Sequence, residues 1–194
     1  MLYSDYKISR NLAWEILIRE RVTELPVRIV PLCRQMGIKV LLHEDPTKGD
    51  GYSGLIDGVP HIFVYRHCYR PRQRFTAAHE LGHILLGHAG KYRLVNREPS
   101  PNDNPIEQAA NVFAARILAP ACVLWACNAF TAEAIADLCD ISMQTAVYRA
   151  KRMKLLQQRG RFLSTKTDYI SIDQEKQDIV ISYDQKKGEV QSES

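Results

Sequence analysis

Apolar residues recur along this chain in two rhythms, one helical and one alternating, and the change from one to the other divides it into elements. Leu12, Ile16 and Leu17 against Arg10, Glu15, Arg19 and Glu20 predict a short amphipathic helix over Leu12 to Val22. Pro26 opens a second helix carrying Ile29, Val30, Leu32, Cys33 and Met36, with Gly37 as a left-handed C-cap. The β-branched and aliphatic run Ile38 to Leu42 reads as a strand, and the polar stretch Glu44 to Gly51 as a turn. Two further short runs, Tyr52 to Ile56 and His61 to Tyr65, flank Asp57-Gly58-Val59-Pro60, where Asp-Gly signals a hairpin.

That pattern places a small antiparallel sheet ahead of the next helix. Arg66 to Arg74, with Pro71, reads as a basic loop, and the helix then runs from Phe75 or Thr76 to Gly87, interrupted only by Gly82. Gly82 inside a helix costs about 1 kcal/mol against Ala, so it calls for a packing reason such as a close neighbouring helix. Tyr92 to Pro105 has loop composition and is expected to be mobile. Ile106 to Leu118 resumes a helix closed by Pro120, with Ala109, Ala110, Phe113, Ala114, Ile117 and Leu118 on one apolar face. Thr131 to Leu156 reads as two helices. Two β-like runs, Tyr169 to Ile172 and Ile179 to Tyr183, precede a polar, frayed end over Lys186 to Ser194, and no internal repeat is present.

Composition changes this picture little. The 194 residues, 45% hydrophobic and 25% charged, suffice for a packed core and exclude disorder of the whole chain. Charges throughout the first twenty residues (Asp5, Lys7, Arg10, Glu15, Arg19, Glu20) leave no signal-peptide core, and no stretch has the length of a membrane span, so a cytoplasmic location without membrane contact is the expectation. Five cysteines, odd in number and without CxxC, are expected to be reduced and mostly buried thiols. A net charge of +4 is too mild to imply nucleic acid by itself.

The chemistry concentrates in RFTAAHELGHILLGH, Arg74 to His88. On a helix, His79 and His83 share a face four residues apart, so two imidazoles can grip one metal ion with Glu80 beside them. This is the HExxH zincin pattern: two His hold Zn²⁺ and the Glu serves as general base toward the attacking water. Catalytic zinc takes a third protein ligand and keeps a fourth position open. His88 does not meet the metzincin spacing, since Leu86 and Ala89 occupy the positions where that pattern needs Gly and His, and it is read as a helix-end or supporting residue. Glu107, at the start of a helix whose small-residue face can pack on the motif helix, is the better third ligand. The oxyanion helper is open among His88, Tyr65, Tyr92 and Arg93, and the strand His61 to Tyr65 is taken as the edge on which an extended substrate pairs.

RFTAAHELGHILLGH followed by ExxANxFAAxxLAP resembles the ImmA/IrrE family of zinc metallo-endopeptidases, over roughly Val27 to Leu156. The resemblance implies His79, His83 and Glu107 as Zn²⁺ ligands and Glu80 as general base. It also implies the substrate class: members are encoded in bacteria and their mobile elements and cleave, or help to inactivate, transcriptional repressors.

Thr131 to Leu156 has the layout of a helix-turn-helix, with Thr131 and Ser142 as caps and Tyr148, Arg149, Lys151, Arg152 and Lys154 on the second helix. No acidic residue falls between Asp140 and Asp168, which predicts a cationic face. Asp140 stands where such turns often carry Gly, and a single copy binds DNA weakly, so packing on the core is preferred over DNA contact.

The expectation is therefore an α+β, zincin-like, mostly helical domain with a small antiparallel sheet before the HExxH helix. Residues 1–128 form the metallopeptidase core, 129–166 a basic helix-turn-helix-like segment packed on it, and 167–194 a short β-like extension. The expected function is hydrolysis of a peptide bond in a specific bacterial or phage transcriptional repressor. The competing reading is a non-catalytic module that binds a repressor or DNA through the basic helices. The oligomeric state is left open.

Overall fold

The computed structural model describes residues 3–88, 104–158, 171–173 and 178–180. Helix α1 spans Tyr3–Arg19, well before the expected start at Leu12, and α2 spans Ile29–Gln35, ending ahead of Gly37 with its left-handed φ of 74°. Strand β1 (Lys39–His43) leads through a 3₁₀ turn at Pro46–Lys48 into β2 (Gly51–Ile56) and β3 (Val59–Tyr65). Asp57 and Gly58 both take positive φ, 50° and 77°, which is what a two-residue turn matching the twist of its strands requires.

The hairpin β2–β3 is antiparallel as expected, but β1 pairs with β3 in parallel, with Lys39 opposite His61, so the sheet is mixed with order β1-β3-β2. After β1 the chain crosses to the far side of the sheet before entering β2, and β3 returns through the gap. The strand His61 to Tyr65 is consequently the centre of the sheet and not an edge. Its inward residues Ile62 and Val64 are buried, as suits a strand paired on both sides.

Helix α3 covers Arg70–Leu85. Its start lies five residues before Phe75 because Pro71 falls in the first turn, where a missing N–H breaks no helical hydrogen bond. The stretch from Arg70 to Arg74 is thus helix and not loop. Helix α4 spans Pro105–Leu118, capped by Asn104, whose side chain accepts from the Ile106 N–H at 2.9 Å. The packing reason for Gly82 is Phe113: a Cβ at Gly82 would lie 2.9 Å from the Phe113 ring, so α3 and α4 approach closely over a glycine. The Tyr92 to Pro105 loop reading lies outside the described residues apart from its last two, as does the polar end.

A six-residue helix α5 (Ala121–Ala126), absent from the sequence reading, follows Pro120. Helices α6 (Ala132–Cys139) and α7 (Met143–Gln158) then form the expected pair, with Thr131 accepting from the Ala134 N–H at 3.2 Å and Ser142 from the Thr145 N–H at 3.3 Å. Asp140 takes the left-handed conformation between them, φ 49°. It tolerates the strain because Arg74 donates to its backbone carbonyl at 2.9 Å and to that of Cys139 at 3.1 Å, while Arg70 donates to its carboxylate at 2.9 Å. Those bonds tie the α6–α7 turn to α3. Strands β4 (Ser171–Asp173) and β5 (Asp178–Val180) pair antiparallel.

The core joins α1, α4, α5 and the later helices through Ile16, Leu17, Phe113, Ile117, Leu118, Leu124, Ile135 and Met153, all fully buried. The five cysteines are free thiols, with Cys33, Cys122 and Cys139 buried. Burial pushes the Cys33 and Cys139 thiols up to about 12, so both stay protonated and inert at neutral pH. Among the described residues no helix is long and apolar enough to cross a membrane. The architecture is α+β, zincin-like and mostly helical.

Candidate metal centre

His79 and His83 sit one turn apart on α3, and Glu107 lies in the first turn of α4. The close α3–α4 contact over Gly82 brings the two helices together with these side chains facing. One ligand atom from each of the three lies within 4.8 Å of the others. The Nε2 atoms of His79 and His83 are 2.9 Å apart, and the Glu107 carboxylate spans both, with Oε2 3.1 Å from His79 Nε2 and Oε1 3.3 Å from His83 Nε2. Donors held about 2 Å from one tetrahedral ion stand roughly 3.3 Å from each other, so two imidazole nitrogens and a carboxylate at this spacing fit Zn²⁺ with a fourth position open.

The far side of each ring is also held. His79 Nδ1 lies 2.9 Å from Asn111 Oδ1 and His83 Nδ1 lies 3.2 Å from His88 Nδ1. An amide oxygen only accepts, so His79 donates from Nδ1 to Asn111 and turns Nε2 toward Glu107. The hydrogen bond from His79, followed by that from His83, holds the Glu107 carboxyl well below the usual carboxylate range, against the opposing effect of burial. It is therefore an anion, the form a metal requires.

Glu80 is 4% exposed, and Ser53 on β2 donates to its Oε2 at 2.9 Å. Within α3, Glu80 directly follows His79 and is not a member of the ligand cluster. Of the four expected residues, the structure thus brings His79, His83 and Glu107 together, without Glu80.

The other candidates separate. His88 lies behind His83, away from the Nε2 cluster, its own N–H bonded to the His83 carbonyl at 2.8 Å. Tyr65 alternates with the buried Val64 and so faces the opposite side of the sheet, where its ring packs against His43 and His67. It does not serve the site. Tyr92 and Arg93 lie outside the described residues.

Sequence reasoning gave no role to Asn111 or Ser53. Each carried a signal: Asn111 is an amide on an otherwise apolar helix face one turn after Glu107, and Ser53 is a hydroxyl at an inward position of a strand. Neither signal names its partner, because the contacts span 32 and 27 residues of chain.

Compared with known families, the chain matches the profile of Peptidase M78, described as the IrrE N-terminal-like domain, over residues 33–151, more than half of its 194 residues. No curated protein matches the chain.

Proposed function

The chain belongs to the Peptidase M78 family, a metallopeptidase family with an IrrE N-terminal-like domain, and from that premise we propose that it is a zinc-dependent endopeptidase acting on a specific bacterial or phage transcriptional repressor. The observation that carries the reading is the convergence of His79, His83 and Glu107, with a buried Glu80 beside them. A purely structural metal site gives no reason to hold a carboxylate next to the ligands and outside their set. The repressor substrate follows from the resemblance to ImmA/IrrE proteins, and a cytoplasmic location follows from such a substrate.

His79, His83 and Glu107 would hold the zinc, which would supply Lewis acidity toward the peptide carbonyl and acidify the attacking water. Asn111 and His88 keep the two rings in register from behind. Glu80 accepts the proton of the attacking water and delivers it to the departing amine. An extended substrate pairs with a strand edge; β3 is central, and of the two edge strands, β1 and β2, it is β2 whose Ser53 faces Glu80.

The test is Glu80→Gln. The variant is expected to keep its zinc, measured by metal analysis, and to lose about two to four orders of magnitude in cleavage of the peptide that wild type cuts fastest from a proteome-derived library, followed by mass analysis of fragments. Cleavage at the wild-type rate would remove Glu80 from the mechanism, and a zinc-loaded wild type that cuts nothing would remove the peptidase reading.

A further inference from the structure

Strand β2 meets α3 through two successive inward positions, Gly51 and Ser53. At Gly51 any Cβ would run into the Thr76 side chain and the Phe63 carbonyl, so the strand backbone lies as near the helix as glycine allows. Thr76 and Glu80 are one helical turn apart on the same face of α3. The two-residue step along the strand therefore matches the four-residue step along the helix. Gly51 seats on Thr76, and Ser53 reaches Glu80 with its hydroxyl 2.9 Å from Oε2.

We propose that Ser53 is a positioning residue for Glu80: its hydroxyl holds Oε2 and so fixes the orientation of the carboxylate that takes the proton. This rests on the peptidase reading above and names a residue that reading does not need. An ionised carboxylate only accepts, so the hydroxyl is the donor, and a hydrogen bond to a charged, buried group is of the stronger kind. Glu80 is 4% exposed, which leaves solvent little part in orienting it. Because β2 is one of the two edge strands of the sheet, a peptide pairing there sits on the backbone that carries Ser53. Substrate docking and the orientation of the base thus share one element. The competing account makes Ser53 a polar filler on a half-buried strand, with no effect on chemistry.

The experiment uses the full chain, loaded with zinc for kinetics and with cobalt for spectroscopy, as wild type, Ser53→Ala and Ser53→Thr. Kinetics are measured on the member of a proteome-derived peptide library that wild type cuts fastest. Binding of acetohydroxamate, whose hydroxyl would be held by the same carboxylate, is followed in the cobalt visible spectrum. Ser53→Ala is expected to lower kcat about ten- to a hundredfold, with KM within about twofold and metal content unchanged, since a misplaced catalytic group has an effect of this size. Acetohydroxamate should bind about tenfold more weakly, and Ser53→Thr, which keeps the hydroxyl, should restore both. Wild-type kcat in Ser53→Ala, or a loss that threonine does not restore, overturns the proposal. If wild type cuts no peptide yet acetohydroxamate affinity still depends on the Ser53 hydroxyl, the positioning role stands and the peptidase reading fails. If that affinity is equally indifferent to Ser53, the positioning role fails as well.

Discussion

Helices α3 and α7 both bring ionisable side chains into the same core, and they use them in opposite ways. On α3, His79 and Glu80 are buried, and the Nε2 atoms of His79 and His83 converge with the Glu107 carboxylate on a single point. On α7, Arg149 is fully buried but spends its Nε and Nη2 on one carbonyl, that of Ala119 at the C-terminal cap of α4, at 2.9 and 2.6 Å. A cation is favoured there by the helix dipole. Burial, followed by the neighbouring Arg116, pushes the Arg149 guanidinium down to about 9. Arg152 also turns inward, its guanidinium 5.3 Å from the Tyr6 ring, and Arg116 packs on the same ring and bonds the Tyr6 hydroxyl. Of the basic residues named on α7, Lys151 and Lys154 remain exposed.

The difference teaches how to tell a site from a strut. A buried polar group that satisfies itself on backbone ties elements together. Several partly buried groups that turn their ligand atoms toward one another are held at a desolvation cost, and they reward an ion placed between them. The cationic face expected on α7 is thus partly a fastening between α7 and α4, while the motif helix joins α4 in a cluster that could hold a metal ion.

The largest effect that would break this contrast belongs to Glu107→Ala. Outer partners of metal ligands cost about 10–100-fold in affinity, so removing a ligand should weaken zinc by more than about a hundredfold, read by competition with a chelating dye. Unchanged affinity would mean that the third ligand is elsewhere. Next comes Arg149→Ala, which leaves the Ala119 carbonyl unpaired in the core and should cost about 3 kcal/mol, lowering Tm by roughly 6–12 °C, with zinc content intact. A lost metal site with normal Tm would reverse the roles assigned to the two helices.

Asn111→Ala should loosen zinc by about 10–100-fold by freeing the His79 ring, with smaller consequences for Tm. Titration calorimetry against wild type distinguishes that from no role at all. The smallest effect is expected from Lys151→Gln with Lys154→Gln: stability within about 0.5 kcal/mol and unchanged zinc affinity. If the pair instead abolishes a salt-dependent affinity for duplex DNA while cleavage persists, the outer face of α7 is a nucleic-acid surface in its own right.

Much of this was legible in the residues taken in order. Asp57-Gly58 announced a hairpin because few residues accept two positive φ angles in succession. His79, Glu80 and His83 could be placed on one helix from spacing alone, since their relative positions depend on that helix. Glu107 needed the additional inference that an alanine-rich face lies on that helix, and the close packing of Gly82 on Phe113 is how that happens. Where α3 began was misjudged because Pro71 reads as a breaker unless its place in the first turn is known.

Sequence by itself determined what is periodic: which positions share a helix face, which alternate across a strand, and therefore that two imidazoles and a carboxylate stand side by side on α3. Tertiary structure alone decided which strand lies in the middle of the sheet, which hydroxyl meets Glu80 across 27 residues, and that Arg149 turns inward to a carbonyl 30 residues away. The physical reason is range. Backbone geometry repeats over a turn or a pleat and writes itself into spacing, whereas the partner of a buried polar group is chosen by the packing of whole elements, to which no local spacing refers.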